Sequence, residues 1–332
     1  MLKYLAILTA LVTVAPLPPK IGYFIGRVVA DLLFMFDKPS RQGASDNLRR
    51  ALGPSPSEAL VNHTTLEVFR NSAKNSYDLV TLARLDPSSV EKRLTVHGWH
   101  HFDQAIQRGK GVVLVSIHMG IMDMSVQVIK ARSVKLTILA EVTEPREIYN
   151  LNVRLRESHG ISLLPVTYSG LKEAIRRLKR GEVVAIAIDR AIQDSGMMID
   201  FFGEETLLPV GGVKLAYLTG AAIAPAFTVR QKGDRYSFFF EPPIYLAKKG
   251  DRDYNIRQAL TKLVGYMETY IRRYPDQWMV FQPIWKGSGL SPGRAASTGN
   301  GRGQLTESGT RSSTRPKGAM FRDRHTTSPA AR

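Results

Sequence analysis

The 332-residue sequence contains no cysteine, so disulfide bonds and cysteine-ligated zinc sites are excluded. It also lacks zinc-finger spacing, a helix-turn-helix signal and basic stretches interleaved with aromatic residues, so nucleic acid is not an expected partner. No uninterrupted apolar run reaches the ~20 residues that a membrane-spanning helix requires. With these classes of protein excluded, a globular protein is expected. The 43% of hydrophobic residues is enough for a substantial core.

Positive charge is in large excess, with 46 Lys and Arg against 29 Asp and Glu and a net charge of +17. Part of it lies after Trp285, where the composition changes to Gly, Ser, Thr, Arg and Pro. We predict that residues 287–332 form a disordered basic tail. The preceding chain is basic as well, which favours an anionic membrane surface as a partner.

Two short apolar stretches open the chain, Tyr4–Leu17 and Ile21–Phe36, with prolines between them and Arg27 and Asp31 inside the second. Their length and polarity predict that residues 1–40 form membrane-associating helices that lie in one leaflet. A single tilted membrane-spanning helix and a plain buried helix pair remain open as alternatives.

Apolar, β-branched runs alternate with helical patterns over most of the next segment, residues 41–286, which we predict to be one catalytic domain. This alternation predicts an α/β fold with a mostly parallel central sheet flanked by helices. The predicted strands are GVVLVSI, KLTILA, ISLLPV, EVVAIAI, AIAPAFTVR and RYSFFFEPPI, and the predicted helices between or after them include EPREIYNLNVRLRESHG, SGLKEAIRRLKRG, GGVKLAYLTGA and NIRQALTKLVGYMETYIRRYP.

The first of these strands leads directly into His118, and Asp123 follows five residues later. Ligands of open α/β sheets bind beside the carboxyl ends of the strands. Gly120 permits a tight turn that would bring His118 and the first helical turn together. A neutral imidazole can accept a proton from a hydroxyl group, and a carboxylate on its other nitrogen would fix the tautomer. The pattern therefore predicts His118 as a general base oriented by Asp123.

No serine nucleophile elbow lies between a predicted strand and helix, so the nucleophile would be the hydroxyl group of the acceptor, attacking an acyl thioester directly. The alternative is structural: a hydrogen-bonded histidine at a strand end, followed by an acid that the helix dipole favours. Spacing alone leaves both interpretations open.

Several ordered motifs resemble the bacterial late acyltransferases of lipid A biosynthesis and their relatives, the phosphatidylinositol mannoside acyltransferases. HMGIMD is similar to the family's H-x-x-x-x-D/E motif. Further similar segments, over about residues 1–286, are RQGASDNLRRALG, AEVTEP with RESHG, AIDRA, DFFGE, LPVGGVKLAYLTGAAIAPAF and YPDQWMVFQPIW. Two departures from the family pattern are Ala191, where the family has an aspartate, and Gln282-Pro283-Ile284, where it has a basic cluster.

The resemblance implies an acyltransferase at the cytoplasmic face of the inner membrane, with acyl-CoA or acyl-ACP as donor and a glycolipid as acceptor. It implies that His118 and Asp123 are the catalytic pair, without a metal or other cofactor. It also points to Glu141, Arg156, Asp189 and Arg190 as substrate-binding residues, since guanidinium groups suit phosphate oxygens. Alternatively, Glu141 and Arg156 simply form an ion pair.

Two other functions remain open at this stage. One is acylation of glycerol phosphate or a lysophospholipid, which uses a similar H-x-x-x-x-D pair. The other is a non-catalytic membrane-binding module.

Overall fold

A computed structural model describes residues 14–285 except 15, 83–84, 86, 159 and 192–194. Its helices are α1 (Pro19–Phe36), α2 (Lys38–Ala51), α3 (Glu58–Thr81), α4 (Pro87–Arg93), α5 (Trp99–Gln107), α6 (Met122–Ala131), α7 (Arg146–Ser158), α8 (Tyr168–Lys179), α9 (Gly211–Thr219) and α10 (Arg252–Arg273). Its strands are β1 (Leu94–His97), β2 (Val112–Ser116), β3 (Leu136–Ala140), β4 (Ser162–Pro165), β5 (Val183–Ala187), β6 (Met197–Phe201), β7 (Glu204–Leu208), β8 (Ala222–Arg230) and β9 (Tyr236–Phe240).

Seven strands form the central sheet in the order β1-β9-β8-β2-β5-β3-β4. Strands β8, β2, β5, β3 and β4 are mutually parallel, and β9 turns back antiparallel to β8 with β1 parallel beside it. The predicted α/β fold with a mostly parallel sheet is confirmed. Strand β2, at the centre, is buried along its whole length, as expected for a strand covered by helices on both faces.

Apolar side chains cover the two faces of the sheet with separate clusters. One face packs mainly against α8, α9 and α10, and the other mainly against α5 and α6. The alternation of apolar and polar residues in these helices produces this arrangement, because each helix buries a single stripe.

The sequence pattern did not predict the antiparallel hairpin of β6 and β7. Its first strand contains Phe201, which is fully buried and stacks on Trp285 with 5.4 Å between ring centroids. Trp278 and Trp285 are also buried, so both tryptophans belong to the core.

Helix α1 packs along α3 and leaves one side apolar and exposed. The exposed residues include Phe24 at 66%, Met35 at 59% and Phe36 at 75%, and they recur at helical spacing on the side away from α3. Within the described residues, no helix combines the length and the apolar character needed to cross a bilayer. The predicted first helix, for the most part, and the predicted basic tail lie outside the described residues.

A buried ionic network joins α1 and α3 to the sheet. Arg230, at the end of β8, binds the Asp78 carboxylate of α3 and is 7% exposed. Tyr236 and Tyr23 each donate to Asp78 at 2.7 Å. Burial and the charge of Asp78 raise the pKa of both tyrosines, so their hydroxyl groups stay protonated and serve as donors.

We expect Arg230→Met to destabilise the protein by about 3–5 kcal/mol, because it leaves a buried carboxylate without its cation. Urea unfolding measures the change. The matched control is Arg235→Met, which removes an exposed arginine and should cost no more than about 0.5 kcal/mol. Equal losses in the two variants would contradict the role of the buried pair.

Candidate active site

Two neighbouring parallel strands bring His118 and Asp189 together. Ser116 of β2 pairs with Ala187 of β5 in the sheet register. His118 and Asp189 each lie two residues beyond these partners, so they emerge side by side at the carboxyl edge of the sheet. The His118 Nδ1 atom lies 2.7 Å from Asp189 Oδ1, and the His118 backbone N–H donates to Asp189 Oδ2 at 2.9 Å.

The Asp189 carboxylate is completely buried. Trp278 donates its indole N–H to Asp189 Oδ2 at 3.0 Å. Burial alone would raise the pKa of this carboxyl group, but the His118 charge and the hydrogen bonds from His118 and Trp278 lower it below its ordinary value. Asp189 is therefore ionised at neutral pH and can hold a proton on Nδ1.

This arrangement determines which histidine nitrogen can react. When Nδ1–H donates to a carboxylate, a neutral imidazole carries its lone pair on Nε2. The His118 side chain is 40% exposed, whereas Asp189 is 0% exposed, and His118 lines a cavity of about 480 Å³. The buried side of the ring is thus fixed, and the open side carries the basic nitrogen.

Asp123 does not take the position that the sequence analysis gave it. It lies in the first turn of α6, as expected, but both of its carboxylate oxygens accept hydrogen bonds from Arg156 of α7, at 2.7 and 3.1 Å. Asp189 is the carboxylate on His118. The predicted orientation of His118 by Asp123 is wrong for this reason, and Asp123 instead joins the helix after β2 to the helix after β3.

The structure also separates the four residues that were predicted to bind substrate. Asp189 is sealed behind His118, so it cannot contact a substrate directly. Arg190 binds Glu141 at 2.7 Å and Gln282 at 3.3 Å, whereas the alternative considered from the sequence paired Glu141 with Arg156. Glu141, Arg156 and Arg190 do line the cavity together with His118 and Asp123.

The loop that carries His118 is held from several sides. Gly120 has a φ of +56°, and a Cβ atom there would lie 2.2 Å from the Thr228 carbonyl oxygen, so only glycine fits. Asn75 of α3 donates to the Gly120 carbonyl at 2.9 Å, and the Met279 N–H donates to the His118 carbonyl at 2.7 Å. His118 is therefore held on a rigid turn.

Asn75, Trp278 and Met279 were missed as parts of this site. Asn75 also accepts a hydrogen bond from Arg230, so the ionic network of the fold extends to the loop that carries His118. The only available signal for Trp278 was its place in the motif YPDQWMVFQPIW.

A second, more apolar cavity of about 560 Å³ adjoins the first one. It lies between α1, α3 and α7. The two cavities share residues of α3 and α7 and one side chain from the C-terminal segment: Ser72, Ser76, Leu79, Asn152 and Phe281. An apolar groove thus leads away from the exposed side of His118 toward the apolar surface of α1.

The model of the family described as bacterial lipid A biosynthesis acyltransferase matches residues 1–287. The chain belongs to this acyltransferase family. It is therefore an enzyme that transfers acyl groups, and the interpretation as a non-catalytic module is set aside.

This acyltransferase is also similar to curated relatives. The phosphatidylinositol mannoside acyltransferase of Mycobacterium tuberculosis (strain ATCC 25618 / H37Rv) is 29% identical over 72% of this chain and 75% of the relative. The protein of the same name from Mycolicibacterium smegmatis is 28% identical over 72% of this chain and 77% of the relative. Among solved structures, a 1-acyl-sn-glycerophosphate acyltransferase from Thermotoga maritima covers 76% of this chain and 98% of its own at 15% identity and a TM-score of 0.35, too low to indicate a shared fold.

We expect Asp123 and Arg156 to be energetically coupled. A double-mutant cycle of Asp123→Asn and Arg156→Gln should give a coupling of about 1–3 kcal/mol in unfolding free energy, because the two side chains form a bidentate pair that is mostly removed from water. The control cycle uses Asp103→Asn and Arg132→Gln, an ion pair with side chains 39% and 47% exposed, for which about 0–1 kcal/mol is expected. Additive effects at Asp123 and Arg156 would contradict the pairing.

Proposed function

We propose that the protein transfers a fatty acyl chain from acyl-CoA or acyl-ACP to a hydroxyl group of a membrane glycolipid. His118 serves as the general base and Asp189 orients it. The observation that carries this proposal is the imidazole itself, whose Nδ1 is bound to a buried carboxylate while its other side faces a cavity. The glycolipid acceptor is supported by the family and by the names of the mycobacterial relatives.

The reaction needs no covalent enzyme intermediate. The oxygen of the acceptor hydroxyl attacks the thioester carbonyl carbon and forms the new C–O bond, while His118 Nε2 removes the hydroxyl proton. The tetrahedral intermediate then collapses, the C–S bond breaks, and the imidazolium returns its proton to the leaving thiolate. Asp189 stabilises the imidazolium between the two steps, as the orienting carboxylate of a catalytic triad does.

The apolar groove is the proposed site of the donor's acyl chain. The thioester carbonyl must lie near His118, and the adjoining groove is the apolar space into which the attached chain can extend. Each methylene group transferred from water into such a groove contributes about 0.8 kcal/mol. Arg156 and Arg190 line the other cavity, where phosphate or sugar groups of the substrates would lie.

The proposed place of the reaction is the cytoplasmic face of the inner membrane. The exposed apolar side of α1 supports this proposal, because an amphipathic helix lies along a bilayer with that side in the acyl boundary. The groove opens beside this side of α1, where Val29 and Leu33 line it and are also exposed. A lipid substrate would thus meet the active site without leaving the membrane.

We expect His118→Ala to abolish transfer and Asp189→Asn to lower kcat by about 10³–10⁴-fold, because the amide no longer selects the reactive tautomer or stabilises the imidazolium. Release of CoA thiol from an acyl-CoA measures the rate, with phosphatidylinositol mannoside, a lipid A precursor and lysophosphatidate offered separately as acceptors. The control is His63→Ala, which removes an exposed histidine of α3.

Near-normal turnover in His118→Ala would rule out the proposed chemistry. Transfer to lysophosphatidate in preference to both glycolipids would favour the phospholipid alternative and leave the role of His118 intact.

Val29→Trp should shift the donor preference toward shorter chains, because Val29 lines the groove. Each methylene that no longer fits should lower kcat/KM by about fourfold, the equivalent of about 0.8 kcal/mol. The control is Val28→Trp. Val28 is 44% exposed and Val29 is 46% exposed, but Val28 does not line the groove. A saturated acyl-CoA series measures both profiles, and the same shift in both variants would contradict the assignment.

A further inference from the structure

A cleft with several cationic side chains lies between α1 and α3, on the side of α1 opposite the apolar groove. Its volume is about 260 Å³. Helix α1 contributes side chains at intervals of three and four residues, and so does α3. The lining residues are Lys20, Tyr23, Phe24 and Arg27 from α1, and Glu67, Arg70 and Lys74 from α3. We call this the headgroup cleft.

The positive charge of the headgroup cleft is only partly neutralised. Arg70 binds Glu67 at 2.7 Å and Asp31 at 2.6 Å, so one arginine engages both nearby carboxylates. Among the described residues, no carboxylate oxygen lies within 4 Å of the charged nitrogens of Lys20, Arg27 or Lys74. Arg27 and Lys74 interact with Asp31 and Asp276 only at longer range. In the described part of the chain, the three cations therefore line the cleft without a direct ion pair and remain available to an external anion.

The position of the cleft on α1 indicates what kind of anion it takes. Phe24 lines the cleft and is also 66% exposed, so the cleft borders the apolar side of the helix. When an amphipathic helix buries that side in the acyl boundary, its flanks lie among the lipid headgroups. A soluble anion would satisfy the cations but would leave the adjacent apolar residues in water. A phosphate group within a lipid surface pairs with the cations, and the acyl chains of the same surface cover the apolar residues.

We propose that the headgroup cleft binds the phosphate group of an anionic phospholipid in the bilayer on which α1 lies. Lys20, Arg27 and Lys74 contact the phosphate oxygens, and the apolar side of α1 enters the acyl region beside them. This inference rests on the proposed association of α1 with the membrane and is independent of the chemistry at His118.

Such binding would set the height and orientation of the active site above the membrane. Tyr23, in the cleft, donates to Asp78, which belongs to the same network as Arg230 and Asn75. Asn75 in turn holds the Gly120 carbonyl of the catalytic loop. A lipid held in the cleft is thus attached through rigid contacts to the loop that carries His118.

The test is co-flotation of the full-length protein with vesicles, made either of phosphatidylcholine alone or of phosphatidylcholine with phosphatidylglycerol. We expect the wild type to bind the anionic vesicles more tightly. The variant Lys20→Gln/Arg27→Gln/Lys74→Gln should bind them at least about tenfold more weakly, because each basic residue near an anionic surface strengthens attraction severalfold.

The matched control is Lys172→Gln/Lys214→Gln/Lys262→Gln, which removes the same charge from three exposed positions on α8, α9 and α10. It should keep most of the affinity for anionic vesicles. An equal loss in the two triple variants would mean that general surface charge attracts the membrane, and it would overturn the proposed site. Equal binding of the wild type to neutral and anionic vesicles would overturn it as well.

A further variant, Phe24→Ser/Leu32→Ser, separates the apolar contribution from the charge. It should weaken binding to both kinds of vesicle. Circular dichroism of each variant checks that the fold is retained. Flotation uses no acyl donor, so its result is independent of turnover. A protein without turnover that still binds vesicles through the three cations would contradict the proposed function and support the headgroup cleft. An active protein whose vesicle binding does not depend on the three cations would support the proposed function and contradict the headgroup cleft.

Discussion

The buried carboxylate of Asp189 is the constraint on which the active site depends. An ionised group without access to water is costly unless hydrogen bonds compensate for it. Here the imidazole, the backbone N–H of the same histidine and an indole N–H provide that compensation. Because the three donors come from the end of β2 and from the segment around Trp278, Asp189 fixes the ends of β2 and β5 and that segment relative to each other.

This constraint also explains why the C-terminal segment is part of the site. Trp278 is far from His118 in sequence, yet it packs beneath the same carboxylate, and Met119 and Trp278 form a β-bridge. The neighbouring Met279 holds the His118 carbonyl. The chain after α10 therefore closes the back of the site, while the front stays open to the cavity.

Helix α1 separates an apolar cavity from a cationic one. The apolar groove lies along one flank of the helix and the headgroup cleft along the other, with the exposed apolar side between them. Small residues permit this arrangement, since Gly22 is buried against Tyr77, where a Cβ atom would lie 2.1 Å from the tyrosine ring. Because α1 approaches α3 closely, the open space between the two helices lies at the flanks of α1, as the apolar groove on one side and the headgroup cleft on the other.

The sequence predicted the fold well because buried parallel strands have a strong local signature. Each of the six predicted strands is present, and so are the helices between them, since apolar runs and helical spacing are properties of short segments. The hairpin of β6 and β7 was missed because its strands are mixed in polarity, so its pairing depends on the aromatic core around Phe201 rather than on a local pattern.

The site was predicted less completely, for a topological reason. His118 was found because a strand end identifies it, and Asp123 was chosen as its partner because it is near in sequence. The actual partner, Asp189, follows the strand that lies next to β2 in the sheet. Strand order is set by the long-range packing of β5 between β2 and β3, and no local spacing encodes it.

The two carboxylates, Asp189 and Asp123, consequently have different physical tasks, although both lie near His118. Asp189 acts on the imidazole and must be shielded from water, because solvent would weaken its hydrogen bond to Nδ1. Asp123 is bound to Arg156 and connects α6 to α7, the helix that covers both cavities. A substrate phosphate that drew Arg156 away would therefore loosen α7 over the apolar groove and leave the His118–Asp189 pair unchanged. Substrate entry and proton transfer can thus be controlled by separate polar pairs, one between helices α6 and α7 and the other at the carboxyl ends of β2 and β5.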